Sequence, residues 1–278
     1  QLKDIRVVLV EMGKRVLTPF RPDLSESAAE GLKELGVTLR LGAPVTDVTA
    51  EGAVVAGELI PASLVVWASG VQPVVTSRSV LYAPARGNHI RELSYRWETQ
   101  AYEAEDVTIM APHLFDYKTT LQMAYSKAPT QILWAVRNDG VLLGMTHVPE
   151  HEVKAWHQHT TAGVFESICA VAEGDEDGVY AIVRRTINGR SVRYIERMRS
   201  RQAATLADSF FLDAGATYTG AATSTITGLH HLEGAQVTVL ADGGVEGPKT
   251  VTGGTITLDA PASKVHVGLP YNADAQTL

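Results

Sequence analysis

The sequence has little of several things, and each shortage removes a class of function. One cysteine, Cys169, stands among 278 residues, which excludes an intrachain disulfide and any metal site built on several thiolates. It lies in the apolar run Ile168-Cys169-Ala170-Val171, where a small buried hydrophobe is expected. No apolar run approaches the ~18 residues that cross a bilayer as a helix, so no membrane span is expected. No cationic segment leading into an apolar one opens the chain, so no signal peptide is expected, and a first residue Gln1 in place of Met reads as a fragment. Clustered cations are also missing: 24 Lys and Arg are scattered against 31 Asp and Glu, for a formal net charge of −7. A static nucleic-acid ligand needs such clusters to displace counterions, whereas an acidic wall lets a DNA strand pass without sticking. With 45% hydrophobic and 20% charged residues, the composition is that of an ordinary globular chain with a buried core.

The pattern changes character near residue 72. Before it the chain reads as α/β. Ile5 to Val10 is a continuous apolar strand of the kind covered on both faces. A helix follows from Pro22-Asp23, capped by Asp23 or Ser25, with Leu24, Ala28, Leu32 and Leu35 as its apolar stripe and Gly36 at its end. Strands are expected at Val37 to Leu41 and Leu64 to Trp67, with a small hairpin at Pro44 to Val48 and Ala53 to Val55. Beyond residue 75 the helical period nearly vanishes. Short segments succeed one another at 79–83, 90–95, 131–137, 142–147, 153–157, 165–171, 180–186 and 191–197, separated by turns such as Asn138-Asp139-Gly140 and Asn188-Gly189. From about residue 201 a Gly-, Ala- and Thr-rich section carries strands at 236–240, 249–251, 255–258 and 264–267, with a turn at Ala241-Asp242-Gly243-Gly244. The expected fold is mainly β: antiparallel propeller-like blades over 73–200, a small β-barrel or sandwich over 201–278, and an incomplete α/β, Rossmann-like fragment over 1–72.

Residues 3 to 72 resemble the middle of a flavin-dependent pyridine nucleotide oxidoreductase of the type II NADH dehydrogenase kind. The stretches that carry this are Val7-Val8-Leu9-Val10-Glu11, Pro22-Asp23-Leu24-Ser25, Leu35-Gly36-Val37 and Val65-Val66-Trp67-Ala68-Ser69-Gly70-Val71. The resemblance implies that Glu11, the carboxylate ending the strand, accepts hydrogen bonds from the adenosine ribose of NAD. No glycine-rich G-x-G-x-x-G turn precedes Glu11, so a pyrophosphate seat is not expected, nor is a bound flavin.

Residues 74 to 278 resemble tail proteins of short-tailed phages, of the nozzle or tail-tubular-protein-B type. This rests on Arg78-Ser79-Val80-Leu81-Tyr82-Ala83, Ile90-Arg91-Glu92-Leu93, Ile132-Leu133-Trp134-Ala135-Val136-Arg137-Asn138-Asp139-Gly140, Ala155-Trp156-His157-Gln158-His159 and Val192-Arg193-Tyr194-Ile195-Glu196-Arg197. The resemblance implies a virion protein made in the host cytoplasm, assembling with copies of itself and other tail proteins into a ring around a DNA conduit.

Several side-chain groups invite a site. His151, Glu152, His157 and His159 do not have the H-E-x-x-H spacing. On a strand His157 and His159 share a face, and hydrogen-bonding strand histidines are expected over a zinc site. His230-His231 with Glu233 is weaker, since adjacent extended residues point apart. Glu173 to Gly178 fails the calcium-loop spacing and reads as a solvated turn. Arg184, Arg185, Arg197, Arg199 and Arg201 are expected to pair with carboxylates or a subunit surface. Trp97, Trp134 and Trp156 read as core, with a sugar platform as the other use. The leading expectation is therefore a non-enzymatic structural component of a phage tail, with no catalytic residue, no metal and no cofactor. The alternatives are an NADH:quinone-type oxidoreductase fragment or fusion that retains nucleotide binding at Glu11, and a glycan- or receptor-binding β-module.

Overall fold

A computed structural model describes residues 6–17, 21–49, 51–63, 65, 71–84, 88–97 and 99–275. It is mainly β, with one α-helix, antiparallel sheets, one parallel strand pair and no closed barrel among the described residues. The chain divides into two compact units, Gln1–Trp67 and Ala68–Leu278.

In the first unit β1 (Val8–Glu11), α1 (Pro22–Glu34) and β2 (Thr38–Leu41) form a β-α-β succession in which β1 and β2 pair in parallel, Glu11 opposite Leu41. Ile5, read as the start of β1, lies outside the described residues, as does most of the strand expected at 64–67. The helix ends as its sequence dictates: Gly36 takes φ +83°, a left-handed geometry that costs glycine little. Its start differs from expectation. Arg21 is the N-cap residue and no side chain caps the helix. Ser25 turns instead toward the preceding loop and donates to the Val16 carbonyl, both residues being buried. The apolar stripe also finds little cover, since Leu24 and Leu35 are exposed. An antiparallel meander of β3 (Val45–Thr49), β4 (Gly52–Val55) and β5 (Glu58–Pro61) completes the unit. Gly52 is obligatory there, because a Cβ would lie 2.1 Å from the Ile60 carbonyl oxygen.

Among the described residues the second unit holds four antiparallel sheets. β6 (Val74–Val75), β7 (Ser79–Tyr82), β8 (Arg91–Arg96) and β9 (Ala101–Asp106) form one four-stranded meander. β10 (Thr120–Ser126), β11 (Ile132–Arg137), β12 (Leu142–Val148) and β13 (Val153–His159) form the next. A three-stranded sheet follows from β14 (Val164–Glu173), β15 (Glu176–Ile187) and β16 (Arg190–Arg197). The last sheet has the order β17-β20-β18-β19, built from β17 (Asp213–Ile226), β18 (Gln236–Ala241), β19 (Gly244–Thr250) and β20 (Ile256–Leu269). Its end strands β17 and β19 do not pair with each other, so the barrel expected over 201–278 is not formed.

Strand β11 explains how the core is arranged. All six of its residues are buried, and alternation sends them two ways. Leu133 and Ala135 join Leu81, Ile90, Phe115, Leu143 and Met145 in one cluster. Ile132, Trp134 and Val136 join Leu142, Ile168 and Val183 in another. Each such fully buried aliphatic side chain stabilises the fold by about 1.5–3 kcal/mol. A third cluster, with Val237, Val239, Val265 and Val267, belongs to the last sheet. The same alternation corrects the reading of Cys169. Ile168 is the residue that points inward, so its neighbour Cys169 is exposed.

Candidate functional site

The carboxyl ends of two parallel strands are where open α/β sheets receive ligands, because the chain turns away there and leaves a crevice. In the first unit those ends are Glu11 and Leu41. The loops beyond them are tied together by the Gly42 N–H, which donates to the Gly13 carbonyl at 2.9 Å. Glu11 is half-buried, and its Oε1 accepts the Gly13 N–H at 2.7 Å. That bond fixes the carboxylate in its own turn. Oε2 has no partner among the described residues, which leaves an acceptor for a vicinal diol. The start of α1 is less suited to a phosphate. Asp23 sits in its first turn and pairs with Arg21 at 2.9 Å, a carboxylate that opposes an anion at that helix start. The described residues thus leave one carboxylate oxygen of Glu11 open at the carboxyl end of β1.

The second unit contains polar clusters of another kind. His147, fully buried on β12, meets Glu92 Oε1 of β8 at 3.1 Å through Nε2 and the Tyr125 hydroxyl of β10 at 2.9 Å through Nδ1. Ser79 Oγ donates to Glu92 Oε1 at 2.6 Å, and Lys154 Nζ lies 3.1 Å from Oε2. Burial alone drives the Glu92 carboxyl up. Hydrogen bonds from His147, Ser79 and Lys154 outweigh it and hold the group down at about 2. Burial, with Glu92 and Glu150 nearby, pushes Tyr125 up to about 12. No sequence spacing announced this cluster.

His157 and His159 share one face of β13, and their ring nitrogens Nδ1 and Nε2 lie 2.9 Å apart. Both rings pack against Trp134. Burial, His159 and the nearby Arg201 push His157 down to about 4, and burial with Arg201 lowers His159. Burial is the larger cause for both rings, and the Arg201 guanidinium also opposes a cation between them. His151 lies in a short 3-10 turn and Glu152 at its end, neither with the histidine pair. His231 bonds to the Ala214 carbonyl, and Glu233 accepts the N–H groups of Gly253 and Gly254.

The acidic turn does more than sit in solvent. Glu173 and Glu176 each approach Arg197 at 2.9 Å, while Asp177 accepts the N–H groups of Lys127 and Ala128. Arg184 and Arg193 pair with Glu166, and buried Arg185 with Glu196 and Asp213. Arg199 instead stands over the Phe210 ring. Trp134 is core and Trp156 donates to the Val107 carbonyl. Trp97 is not core: it is 80% exposed, because it follows the last residue of β8 at the turn end of the β8–β9 hairpin.

Against this geometry, comparison with known families gives one result that bears on function. Residues 1–90 match the pyridine nucleotide-disulphide oxidoreductase family. The match begins before β1, covers the whole first unit and runs on through β7 to Ile90. No curated protein matches the chain.

That finding overturns the leading expectation. The matched family is one of oxidoreductases, so over residues 1–90 the likeness points away from a non-enzymatic, viral tail protein; that reading is overturned, and the phage-tail resemblance finds no support. The error has a physical origin. Antiparallel hairpins with Asn-Gly turns are a generic solution to burying apolar faces, and they carry no functional information.

Proposed function

We propose that this chain belongs to a pyridine-nucleotide oxidoreductase and contributes the adenosine-ribose contact for NAD(H). The observation that carries the reading is the family match over residues 1–90. Glu11 gives it a chemical focus. Its carboxylate ends β1, is oriented by the Gly13 N–H and keeps one oxygen for the ribose hydroxyls. On this reading β1, α1 and β2 are part of a Rossmann-like nucleotide unit, and the meanders β6–β9 and β10–β13 are blade-like accessories to it. When NADH is bound, its nicotinamide supplies hydride-transfer chemistry. The role assigned to this chain's residues is to bind and orient the far end of that molecule.

Titration calorimetry with ADP-ribose tests the contact without needing a nicotinamide or a flavin. Wild-type protein is expected to bind, and Glu11→Ala to bind about tenfold more weakly or worse, as for a lost charge-assisted hydrogen bond. Equal affinity in the two proteins overturns the assignment of Glu11.

A further inference from the structure

The three-stranded sheet β14–β16 has one face in the core and one in water. Ile168, Val179, Ala181 and Val183 point inward, against Ile132, Trp134 and Val136. On the outer face the register sets Cys169, Tyr180 and Arg197 in one row, Ile182 beside Ile195 in the next, and Arg184 beside Arg193 in the one after. Ile195 is 78% exposed and Val171 48%, and Cys169 is exposed with them. Charged groups flank this apolar strip in opposite ways at its two ends. Towards the β15–β16 turn one carboxylate, Glu166, is shared by two guanidiniums, Arg184 at 2.8 Å and Arg193 at 2.5 Å. Towards the β14–β15 turn one guanidinium, Arg197, is shared by two carboxylates, Glu173 and Glu176, each at 2.9 Å. The first end therefore carries one positive charge in excess and the second one negative charge. Arg190 at the start of β16 and Asp175 in the β14–β15 turn add the same signs at their ends. Arg199, whose charge also reaches Glu176, stands over the Phe210 ring.

A face with a positive end, an apolar middle and a negative end is complementary to itself turned end for end. Two copies packed face to face about a two-fold axis running across the strands place each cationic end on the partner's anionic end. The apolar strips then cover one another, with Ile182, Ile195 and Cys169 close to the axis. An axis along the strands would instead set like ends together. Nucleic acid or an anionic membrane would meet repulsion at the carboxylate end. Strands of 10, 12 and 8 residues, about 4.8 Å apart with a rise of about 3.3 Å, give a face on the order of 500 Å² per copy. Two such faces bury on the order of 1,000 Å², the lower bound for a specific interface, which suits a reversible dimer and not an obligate one. We infer that the outer face of β14–β16 is a homodimer interface, in which Arg184 of one copy meets Glu176 of the other and the two Cys169 side chains approach at the axis.

The inference is independent of nucleotide binding and is tested separately. Sedimentation velocity of the full chain, from about 1 to 100 µM, is expected to show the mass rising from one chain towards two. Ile195→Asp is expected to weaken the dimer at least about tenfold. Because Ile195 is exposed, the thermal unfolding midpoint is expected to match wild type, so lost association reports the face and not the fold. Arg184→Glu is expected to weaken the dimer in the same way, and Glu176→Arg added to it to restore association, since the two ends are then complementary again. Cys169 is the chain's one cysteine, so a short bismaleimide reports on the axis. It is expected to give a covalent dimer with wild type and little with Ile195→Asp. A monomer at every concentration, a dimer unaffected by Ile195→Asp, or a dimer in which Cys169 is not cross-linked overturns the inference.

Discussion

His147 and Glu92, 55 residues apart in sequence, meet at 3.1 Å with side chains only 0% and 8% exposed. The contact joins β12 of one meander to β8 of its neighbour, and Tyr125, Ser79 and Lys154 close the remaining valences. Removing one member of such a buried pair strands the other. Glu92→Ala is expected to destabilise the second unit by about 3–5 kcal/mol in urea unfolding. Glu92→Ala and His147→Ala together are expected to cost clearly less than the sum of the two alone. Additive losses sink the idea of a coupled cluster. The pH dependence has a definite sign. The folded Glu92 carboxyl is depressed to about 2 from 4.5, so its contribution is present above about pH 4.5 and fades as pH falls through about 2.

His89 has the opposite dependence. Its Nδ1 lies 2.9 Å from Asp106 and its Nε2 3.4 Å from Asp116. The hydrogen bond to Asp106 raises its pKa, burial opposes this, and Asp116 adds to the rise. A raised folded value means stability that is complete below the unfolded value of about 6.5 and lost as pH climbs through the folded one. Unfolding midpoints measured from about pH 6 to 9 are expected to decline in wild type more than in His89→Asn. Parallel curves contradict this.

Gly144 lies under the His157 ring, where an added Cβ would stand 2.2 Å from Cε1. The ring has little freedom to move, being bonded to His159 and set against Trp134. Gly144→Ala is therefore expected to cost about 1–3 kcal/mol by overpacking. His157→Ala introduced beside it is expected to recover part of the loss, and chemical denaturation of both variants decides.

Ser25 ties the loop after β1 to the first turn of α1 through the Val16 carbonyl. Ser25→Ala removes a buried hydrogen bond worth about 1 kcal/mol. Amide exchange in the first turn of α1 and at Val16 is expected to accelerate, while exchange in β10–β13 stays at the wild-type rate. Unchanged exchange at Val16 shows that the bond does not hold the loop.

Much of the fold is legible where local chemistry and burial agree. The strand expected at 131–137 forms as β11, whose burial on both faces the sequence pattern does not reveal, and Asn188 and Gly189 take the positive φ values, +50° and +71°, that their turn signal implies. Elements that break propensity are not legible. β9 spells Ala-Tyr-Glu-Ala-Glu-Asp and β17 is rich in Gly, Ala and Thr, so register with a partner strand holds them and not their own composition. β20 reads as two strands because Pro261 interrupts it, yet its ladder with β17 shifts register around that point, which is where a strand tolerates proline. At the candidate site, Glu11 is visible as a carboxylate ending an apolar strand. The Gly13 bond that orients it and the layout of charge on β14–β16 depend on turn geometry and cross-strand pairing, which spacing alone does not reveal.

Binding of a reduced pyridine nucleotide is what the proposed role of Glu11 requires most directly. NADH titrated with the purified protein is expected to show a saturable change in nicotinamide fluorescence that Glu11→Ala weakens about tenfold or more. Emission that stays linear in NADH, identical with and without protein, contradicts the account.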